Sequence, residues 1–237
     1  MNVRHRMRAG LGAVLTLAVI AQSAPAQAWN YPSFQPPRPA EREFNFALGG
    51  GGDPGSSLVM QWREGIATRS QLSFDLGFAS PTIDNYVYAD SYFLVGGQFA
   101  HQLARADRQM PLDLLLTLGA NFAMANSDNL VRVPVGVSIG HRFPIEAGMS
   151  VTPYGHVRAS YDYCSECGPS LTGRSQVSPN VDIGFDFTFN PQLAVRLSAT
   201  LGNSVFFNRE NAFGLSLAWS PGAQGPTEPA RPRNRPR

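Results

Sequence analysis

The stretch 181–219 alternates between large apolar residues and small or polar ones in three successive runs. Large apolar side chains occupy every second position of 181–189, 193–201 and 213–219, and a tight turn at 190–192 separates the first two runs. A period of two residues predicts strands with two unlike faces. Runs of about nine residues also match the roughly nine to eleven that a tilted strand needs to cross a bilayer.

The same pattern continues through most of the chain and predicts ten strands. The predicted strands are 43–48, 57–63, 70–79, 91–103, 112–124, 130–143, 149–163, 181–189, 193–201 and 213–219. Pro134 and Pro153 each remove a backbone donor, so bulges or shifts of register are expected there. If strand one begins in the periplasm, the periplasmic turns are short and several outer loops are longer, as in outer-membrane barrels. An eight-stranded barrel remains open if strand one or two lies outside it.

The chain ends predict segments outside the barrel. Three arginines among the first eight residues precede a short apolar stretch, and Ala26-Gln27-Ala28 is a small-x-small cleavage site. This pattern predicts a secretory signal peptide over 1–28, with an uncleaved anchor helix as the alternative. Residues 29–42 are then a periplasmic lead-in and 43–219 the barrel. The Pro- and Arg-rich segment 220–237 is predicted to be a disordered tail.

Charge composition narrows the function classes. The chain has 19 Lys+Arg against 17 Asp+Glu, and three of the basic residues belong to the predicted signal, so the mature chain is nearly neutral. No nucleic-acid partner is expected. Charged residues make up 15% of the chain, against about 25% in soluble domains. The polar strand face contains no lysine, whereas a soluble barrel or sandwich would carry many charges of both signs there. A membrane barrel is therefore favoured over a soluble one.

The repeated amphipathic strands resemble the bacterial outer-membrane β-barrel superfamily, of the small porin-like or opacity-type kind, over roughly 43–219. Phe213, Leu215, Leu217 and Trp219 are similar to the aromatic-ended closing strand that the barrel assembly machinery reads. A tail that continues to Arg237 departs from the family pattern. The resemblance implies an all-β, antiparallel, up-and-down transmembrane barrel of ten strands in the cell outer membrane, in contact with outer-membrane lipid.

The polar face predicts the lining of the barrel lumen. The lumen-lining candidates are Arg63, Asp75, Asp113, Arg132, Arg142, His156, Arg158, Asp162, Asp182, Asp186 and Arg196. They are either the selectivity lining of a channel or a salt-bridged plug. Eight strands leave room only for side chains and sixteen or more leave a channel, so ten strands favour the plug. Buried charges must be paired, and both signs are available.

His156, Ser160 and Asp162 are the residues to weigh for catalysis. His156 and Asp162 lie six residues apart on one strand, which separates them by about 20 Å. His101 and His141 fall on the apolar face. No base–nucleophile pair is predicted, so the protein is expected not to be an enzyme. No catalytic residue, metal site or cofactor is predicted, and an outer-membrane enzyme acting on lipid or peptide ranks third among the functions.

Cys164 and Cys167 are the only cysteines and lie in the predicted outer loop 164–176. Two cysteines cannot close a structural zinc site. A local disulfide is the default in an oxidising compartment, with a redox-active pair as the alternative. The tail offers Arg231, Arg233, Arg235 and Arg237 to peptidoglycan or anionic lipid, unless it is simply solvated.

The expected function is that of a monomeric outer-membrane barrel with a structural or surface-interaction role and at most a narrow pore. A small porin that passively transports small solutes is the alternative.

Overall fold

The computed structural model describes residues 42–50, 56–80, 91–107, 111–125, 129–146, 148–165, 174–202 and 212–221. The strands are β1 Arg42–Gly50, β2 Ser56–Ala67, β3 Ser70–Ser80, β4 Tyr92–Ala104, β5 Asp113–Met124, β6 Asn129–Gly140, β7 Phe143–Glu146, β8 Met149–Cys164, β9 Arg174–Asn190, β10 Leu193–Gly202 and β11 Ala212–Trp219. The predicted signal peptide, nearly all of the lead-in and nearly all of the tail lie outside these ranges. Within them, no helix is long and apolar enough to cross a membrane.

The strands form one closed antiparallel sheet. Successive strands pair with each other, and β1 pairs with β11 to close the ring. β6 and the short β7 both pair with β8. Together they form one strand of the barrel wall, which is interrupted at His141 and Arg142. The barrel therefore has ten strand positions. The predicted ten-stranded antiparallel barrel is confirmed, and the eight-stranded alternative is wrong.

The apolar face of the strands points outward. The outward side chains that are at least 45% exposed include Phe46, Leu48, Leu58, Leu72, Phe74, Phe78, Leu118, Phe122, Val135, Val157, Ile183, Leu201, Leu217 and Trp219. Phe44 stacks on Trp219 across the closing pair of strands, with ring centroids 5.9 Å apart. A wall that is apolar outside and polar inside is the reverse of a soluble barrel and is typical of a barrel that faces lipid.

The two sides of the lumen wall differ in the size of their inward residues. On β3, β4 and β5 the small buried residues are Gly77, Ala79, Gly96, Ala100, Gly119 and Ala123. On β6, β8, β9 and β10 the buried inward residues include Arg132, Arg158, Asp162, Asp182, Asp186 and Arg196. Long charged side chains on one wall thus face small residues on the other, which lets a ten-stranded barrel fill its own interior.

The two ends of the barrel are distinct. We call the end at which β1 begins the N-terminal rim; it carries the connections 68–69, 105–112, 147–148 and 191–192. We call the opposite end the far rim; it carries the connections 51–55, 81–91, 125–128, 165–173 and 203–211. The connections of nine or more residues all lie at the far rim, as expected of an outer-membrane barrel, although 105–112 is longer than two of the far-rim connections.

Several strand boundaries differ from the predicted ones. β9 begins at Arg174, so 174–180 belong to a strand and not to a loop, and β2 extends to Ala67. The predicted turn at 144–148 contains most of β7. The β5–β6 ladder skips the residues beside Pro134, and the β6–β7 break lies opposite Pro153, so irregularity occurs where proline removes a donor.

Candidate functional site

The inward residues of β9 define three layers across the lumen. Asp186, Asp182 and Ser178 are every second inward position of the strand, four residues apart, which spaces them by about 13 Å. Each is 0–1% exposed and belongs to a group of polar side chains. We name these groups the rim layer (Glu43, Arg63, Asp186, Arg196), the middle layer (Thr117, His156, Arg158, Asp182, Thr200) and the far layer (Arg132, Asp162, Ser178).

The rim layer lies toward the N-terminal rim. It joins β1 and β2 to β9 and β10, which lie on opposite sides of the β1–β11 pairing that closes the barrel. Arg196 of β10 donates two parallel hydrogen bonds to Glu43 of β1, at 2.8 and 2.6 Å. Its Nε also lies 3.5 Å from Asp186 Oδ2 on β9. Arg63 Nε of β2 lies 3.4 Å from Glu43 Oε1 and donates to Gln61 at 2.7 Å. Two guanidinium groups and two carboxylates thus neutralise one another at this level.

The middle layer is built around Asp182. This carboxylate accepts hydrogen bonds from Arg158 Nε at 2.9 Å and from Thr200 Oγ1 at 2.5 Å. His156 Nδ1 lies 3.1 Å from the same carboxylate. The other ring nitrogen of His156 lies 3.0 Å from Thr117 Oγ1 on β5. The layer therefore contains a continuous row of carboxylate, imidazole and hydroxyl.

Gly136 makes the contact between Thr117 and His156 possible. β6 runs between β5 and β8, so His156 must reach across it to meet Thr117. A Cβ atom at Gly136 would collide with His156 Nε2, with the Val157 carbonyl and with Arg158 Cβ. The side chains beside Gly136 are therefore packed in contact with its backbone, and the absence of a side chain at Gly136 leaves the space through which His156 reaches Thr117.

The Thr117 hydroxyl has two hydrogen-bond partners within reach. It lies 3.0 Å from His156 Nε2 and 3.3 Å from the Gly136 carbonyl oxygen. A hydroxyl both donates and accepts, so Thr117 joins the imidazole of β8 to the backbone of β6.

The far layer contains the most deeply buried ion pair. Arg132 of β6 donates from Nε and Nη2 to the two oxygens of Asp162 on β8, at 2.7 and 2.9 Å, and both side chains have no exposed surface. Ser178 adds a third hydrogen bond to Asp162 at 2.7 Å. Arg132 and Asp162 are opposite each other in the β6–β8 register, so strand pairing alone brings them together.

Three predicted lining residues lie outside these layers. Asp75 accepts a hydrogen bond from Gln61 at 2.6 Å and is only partly buried. Asp113 is buried near the N-terminal rim and accepts from Gln102 and from the Ala106 backbone. Arg142 is exposed at the β6–β7 break and donates to Ser150, so it belongs to the rim and not to the interior.

The sequence prediction missed four residues of the layers: Glu43, Thr117, Ser178 and Thr200. Glu43 was predicted only as the start of a strand, and its partner Arg196 is 153 residues away. The inward alternation places all four on the inner face, but strand register alone does not identify their partners. Arg196 is level with Ala47 across β11, four residues from Glu43.

Cys164 ends β8 fully buried at the far rim and is disulfide-bonded. Cys167 is the only other cysteine in the sequence and lies outside the described residues. The local disulfide stays a prediction, consistent with the state of Cys164.

Comparisons with known proteins give two distant structural likenesses. No family model and no curated protein matches the chain. Among solved structures, LpxR from Salmonella typhimurium matches with a TM-score of 0.49 and 10% identity, covering 75% of this chain and 99% of LpxR. The KdgM porin matches with a TM-score of 0.35 and 7% identity, covering 75% of this chain and 98% of the porin. The closed ten-stranded antiparallel barrel is established by the strand pairing. The likeness extends to the fold alone, and the narrower opacity-type resemblance has no support in it.

The expectation that the protein is not an enzyme needs correction. The expectation rested on the lack of an assembled base and nucleophile. The row of Asp182, His156 and Thr117 is such an assembly, formed across strands and not along one strand.

Proposed function

We propose that the protein is an outer-membrane barrel with a closed lumen, which acts through its walls and rims and not as a pore. The observation that carries the proposal is the burial of the three layers. Arg132, Asp162, Asp182 and Asp186 are each 0–1% exposed, so these side chains have almost no contact with solvent. A conducting lumen needs solvent contact along its whole length.

The pairing of the charges supports a structural role for the lumen. The carboxylate of Asp162 and that of Asp182 each accept several hydrogen bonds at 3.1 Å or less. A selectivity filter must release the ion that it binds, so its charges cannot all be engaged with each other. The mutual pairing in the layers therefore fits a plug better than it fits the small-porin alternative.

We place the barrel in the outer membrane with its N-terminal rim in the periplasm. The apolar outer wall supports contact with lipid, and the short connections at that rim support the orientation. Under this proposal the far-rim connections face the outside and offer a surface for interaction. The barrel assembly machinery would read the outward side chains of β11, and the arginines of the tail would meet peptidoglycan or anionic lipid in the periplasm.

The test is the conductance of the refolded mature protein in a planar lipid bilayer. We expect no discrete current steps from the natural sequence, because the layers block the lumen. Insertion is checked on the same sample by the change in gel mobility that folded barrels undergo on boiling. Stepwise, salt-dependent currents from inserted protein would contradict the closed lumen and favour the porin.

Two matched variants test whether the three layers are the reason that the natural sequence gives no current. Replacing six of the eight charged layer residues by alanine (Glu43, Arg132, Arg158, Asp162, Asp182 and Arg196) removes the main ion pair of each layer and should produce current steps. Replacing six outward residues by alanine (Leu48, Leu58, Leu72, Leu118, Val135 and Leu201) leaves the layers intact and should give none. If the six-alanine variant of the layers inserts and still does not conduct, these ion pairs are not what closes the barrel.

A further inference from the structure

The outer wall carries a serine–histidine pair that borders apolar residues of β3 and β4. The outward residues of β3 include Ser70, Leu72, Phe74 and Phe78, and those of β4 include Phe93, Phe99, His101 and Leu103. Ser70 and His101 are directly opposite each other in the β3–β4 register. The Ser70 Oγ lies 2.9 Å from His101 Nδ1, and both side chains are partly exposed.

The pair lies at the edge of the apolar wall, close to the N-terminal rim. One residue pair further into the wall, Leu72 is opposite Glu64 of β2, and Glu64 forms an exposed ion pair with Arg42 at 3.3 Å. Arg42 also lies over the ring of Trp62, 5.7 Å from its centre. Charged and aromatic side chains of this kind mark the boundary between hydrocarbon and headgroups. Ser70 and His101 lie one residue pair nearer the N-terminal rim than Glu64, which is the headgroup side of that boundary.

We propose that Ser70 and His101 form a nucleophile–base pair that cleaves the acyl ester of a glycerophospholipid in the membrane around the barrel. Such esters lie at the boundary between hydrocarbon and headgroups, so a substrate would reach the pair by lateral diffusion without entering the lumen. The proposal uses the membrane placement proposed above but not the closed lumen. It differs from the buried row at Thr117, whose hydroxyl no lipid can reach.

The geometry suits the first step of acyl transfer. When His101 carries its ring proton on Nε2, its bare Nδ1 accepts the Ser70 hydroxyl proton. Ring stacking on Phe99, with centroids 6.4 Å apart and planes within 9°, holds the imidazole in place. Within the described part of the chain no carboxylate binds His101, so the site is a dyad and not a triad.

The reaction balances with water as the only co-reactant. The Ser70 oxygen attacks the ester carbonyl carbon while His101 takes the hydroxyl proton. The carbon–oxygen bond to the glycerol then breaks, and His101 returns that proton to the leaving alkoxide, which releases a lysophospholipid. Water attacks the acyl-serine, His101 takes its proton and passes it to the Ser70 oxygen, and the fatty acid leaves.

Two arginines at the N-terminal rim are placed to bind the phosphodiester group of the substrate. Arg69 directly precedes Ser70, and its carbonyl accepts a hydrogen bond from the Gln102 backbone at 2.7 Å, which ties the β2–β3 turn to the end of β4. Arg105 follows β4, and both arginine side chains are exposed. A guanidinium group binds phosphate well, so the phosphodiester of the lipid would lie on the aqueous side of the pair.

The test uses the refolded mature protein in vesicles of phosphatidylcholine and phosphatidylglycerol that contain a fluorogenic phospholipid ester. General base catalysis contributes about 10²–10⁴-fold, so we expect His101→Asn to lower the hydrolysis rate by about 100-fold or more. Ser70→Ala should abolish it. A fluorophosphonate probe should modify the natural sequence at Ser70, identified by peptide mass, and should fail to modify either variant at that position.

Ser80→Ala is the matched control. Ser80 is at the other end of the same strand, and its hydroxyl lies 3.3 Å from Ser91 Oγ. We expect its hydrolysis rate to stay within twofold of the natural sequence. If protein that has inserted hydrolyses no ester, or if all variants hydrolyse it equally, the dyad is not catalytic. If the natural sequence does not insert, as judged by gel mobility, the proposed membrane placement fails instead.

Discussion

Arg132 and Asp162 show what one residue contributes to this barrel. Both side chains are fully buried and share two hydrogen bonds, and Ser178 completes the carboxylate. Taking two charges out of water costs several kcal/mol per ion, which close pairing offsets. Each buried charge is therefore tolerated only while its partner is present, because the loss of one partner leaves an uncompensated charge in the lumen.

Replacing Arg132 by Met should destabilise the barrel by about 3–5 kcal/mol, because Asp162 then stays buried without its guanidinium. The double variant Arg132→Met/Asp162→Leu should recover most of that loss, since no charge remains. Urea unfolding of the refolded protein in vesicles measures both. Equal destabilisation by the single and double variants would mean that packing volume, and not charge, explains the effect.

Gly136 gives a second prediction at this scale. A methyl group there meets His156 Nε2 and Arg158 Cβ, and overfilling of this kind costs about 1–3 kcal/mol. Gly136→Ala should lower stability by that amount, measured again by urea unfolding. Gly155→Ala is the control, because the nearest atom to its new Cβ would be Ile139 Cγ2 at an ordinary 4.0 Å. A loss as large from the control would contradict the proposed crowding at His156.

The sequence predicted individual side-chain contacts less well than it predicted the strands and their two faces. Alternation identifies the face on which His156 and Asp182 lie but not which of them meet. Contact depends on register, which is set by strand pairing over long distances: Glu43 and Arg196 are 153 residues apart. The distance argument between His156 and Asp162 used one strand only, so it missed partners on β5 and β9 that lie within 3.1 Å.

At the scale of the strand, the period of two predicted more. It predicted the ten strand positions, whereas the outward direction of the apolar face was predicted from the absence of lysine on the polar face and not from the alternation. It placed strand ends less well. β9 begins seven residues earlier than predicted, since the 174–180 segment is polar and small on its inward face and weakly apolar outside.

β11 is the strand on which the face assignment can be tested. Leu215 is 41% exposed on the outer wall, and an arginine there would cost about 2–4 kcal/mol near the bilayer midplane. Leu215→Arg should therefore lower the yield of inserted protein, measured by gel mobility after refolding, while Leu215→Phe should not. A high yield of the arginine variant would contradict an outward, lipid-facing Leu215.

Ser216, the next residue of β11, faces the packed lumen and is not a site at which arginine would be tolerated. It is buried and lies opposite Arg196 in the β10–β11 register. A second arginine there would bring like charges together inside the rim layer, where no space or counter-charge is left for it. Facing away from lipid is therefore not sufficient for a strand residue to tolerate replacement by arginine.

At the scale of the whole molecule, the three layers block the lumen in series. The rim layer ties β1, β2, β9 and β10 together, the middle layer ties β5, β8, β9 and β10, and the far layer ties β6, β8 and β9. Strands that are distant around the ring are thus joined through the interior. An ion must pass all three layers, so the least open one sets the current.

This arrangement predicts that emptying a single layer leaves the barrel closed. Removing Glu43 and Arg196, or Arg132 and Asp162, or Arg158 and Asp182, as alanine pairs keeps the local charge balanced and leaves the other layers in place. Each pair variant should insert, unfold at lower urea concentration than the natural sequence, and show no current in a planar bilayer, whereas the combined six-alanine variant should conduct. If one pair alone opens a current, that layer is the only barrier and the other two are already permeable. Such a result would turn that layer into the gate of a small porin, because a single pair of side chains would then control passage.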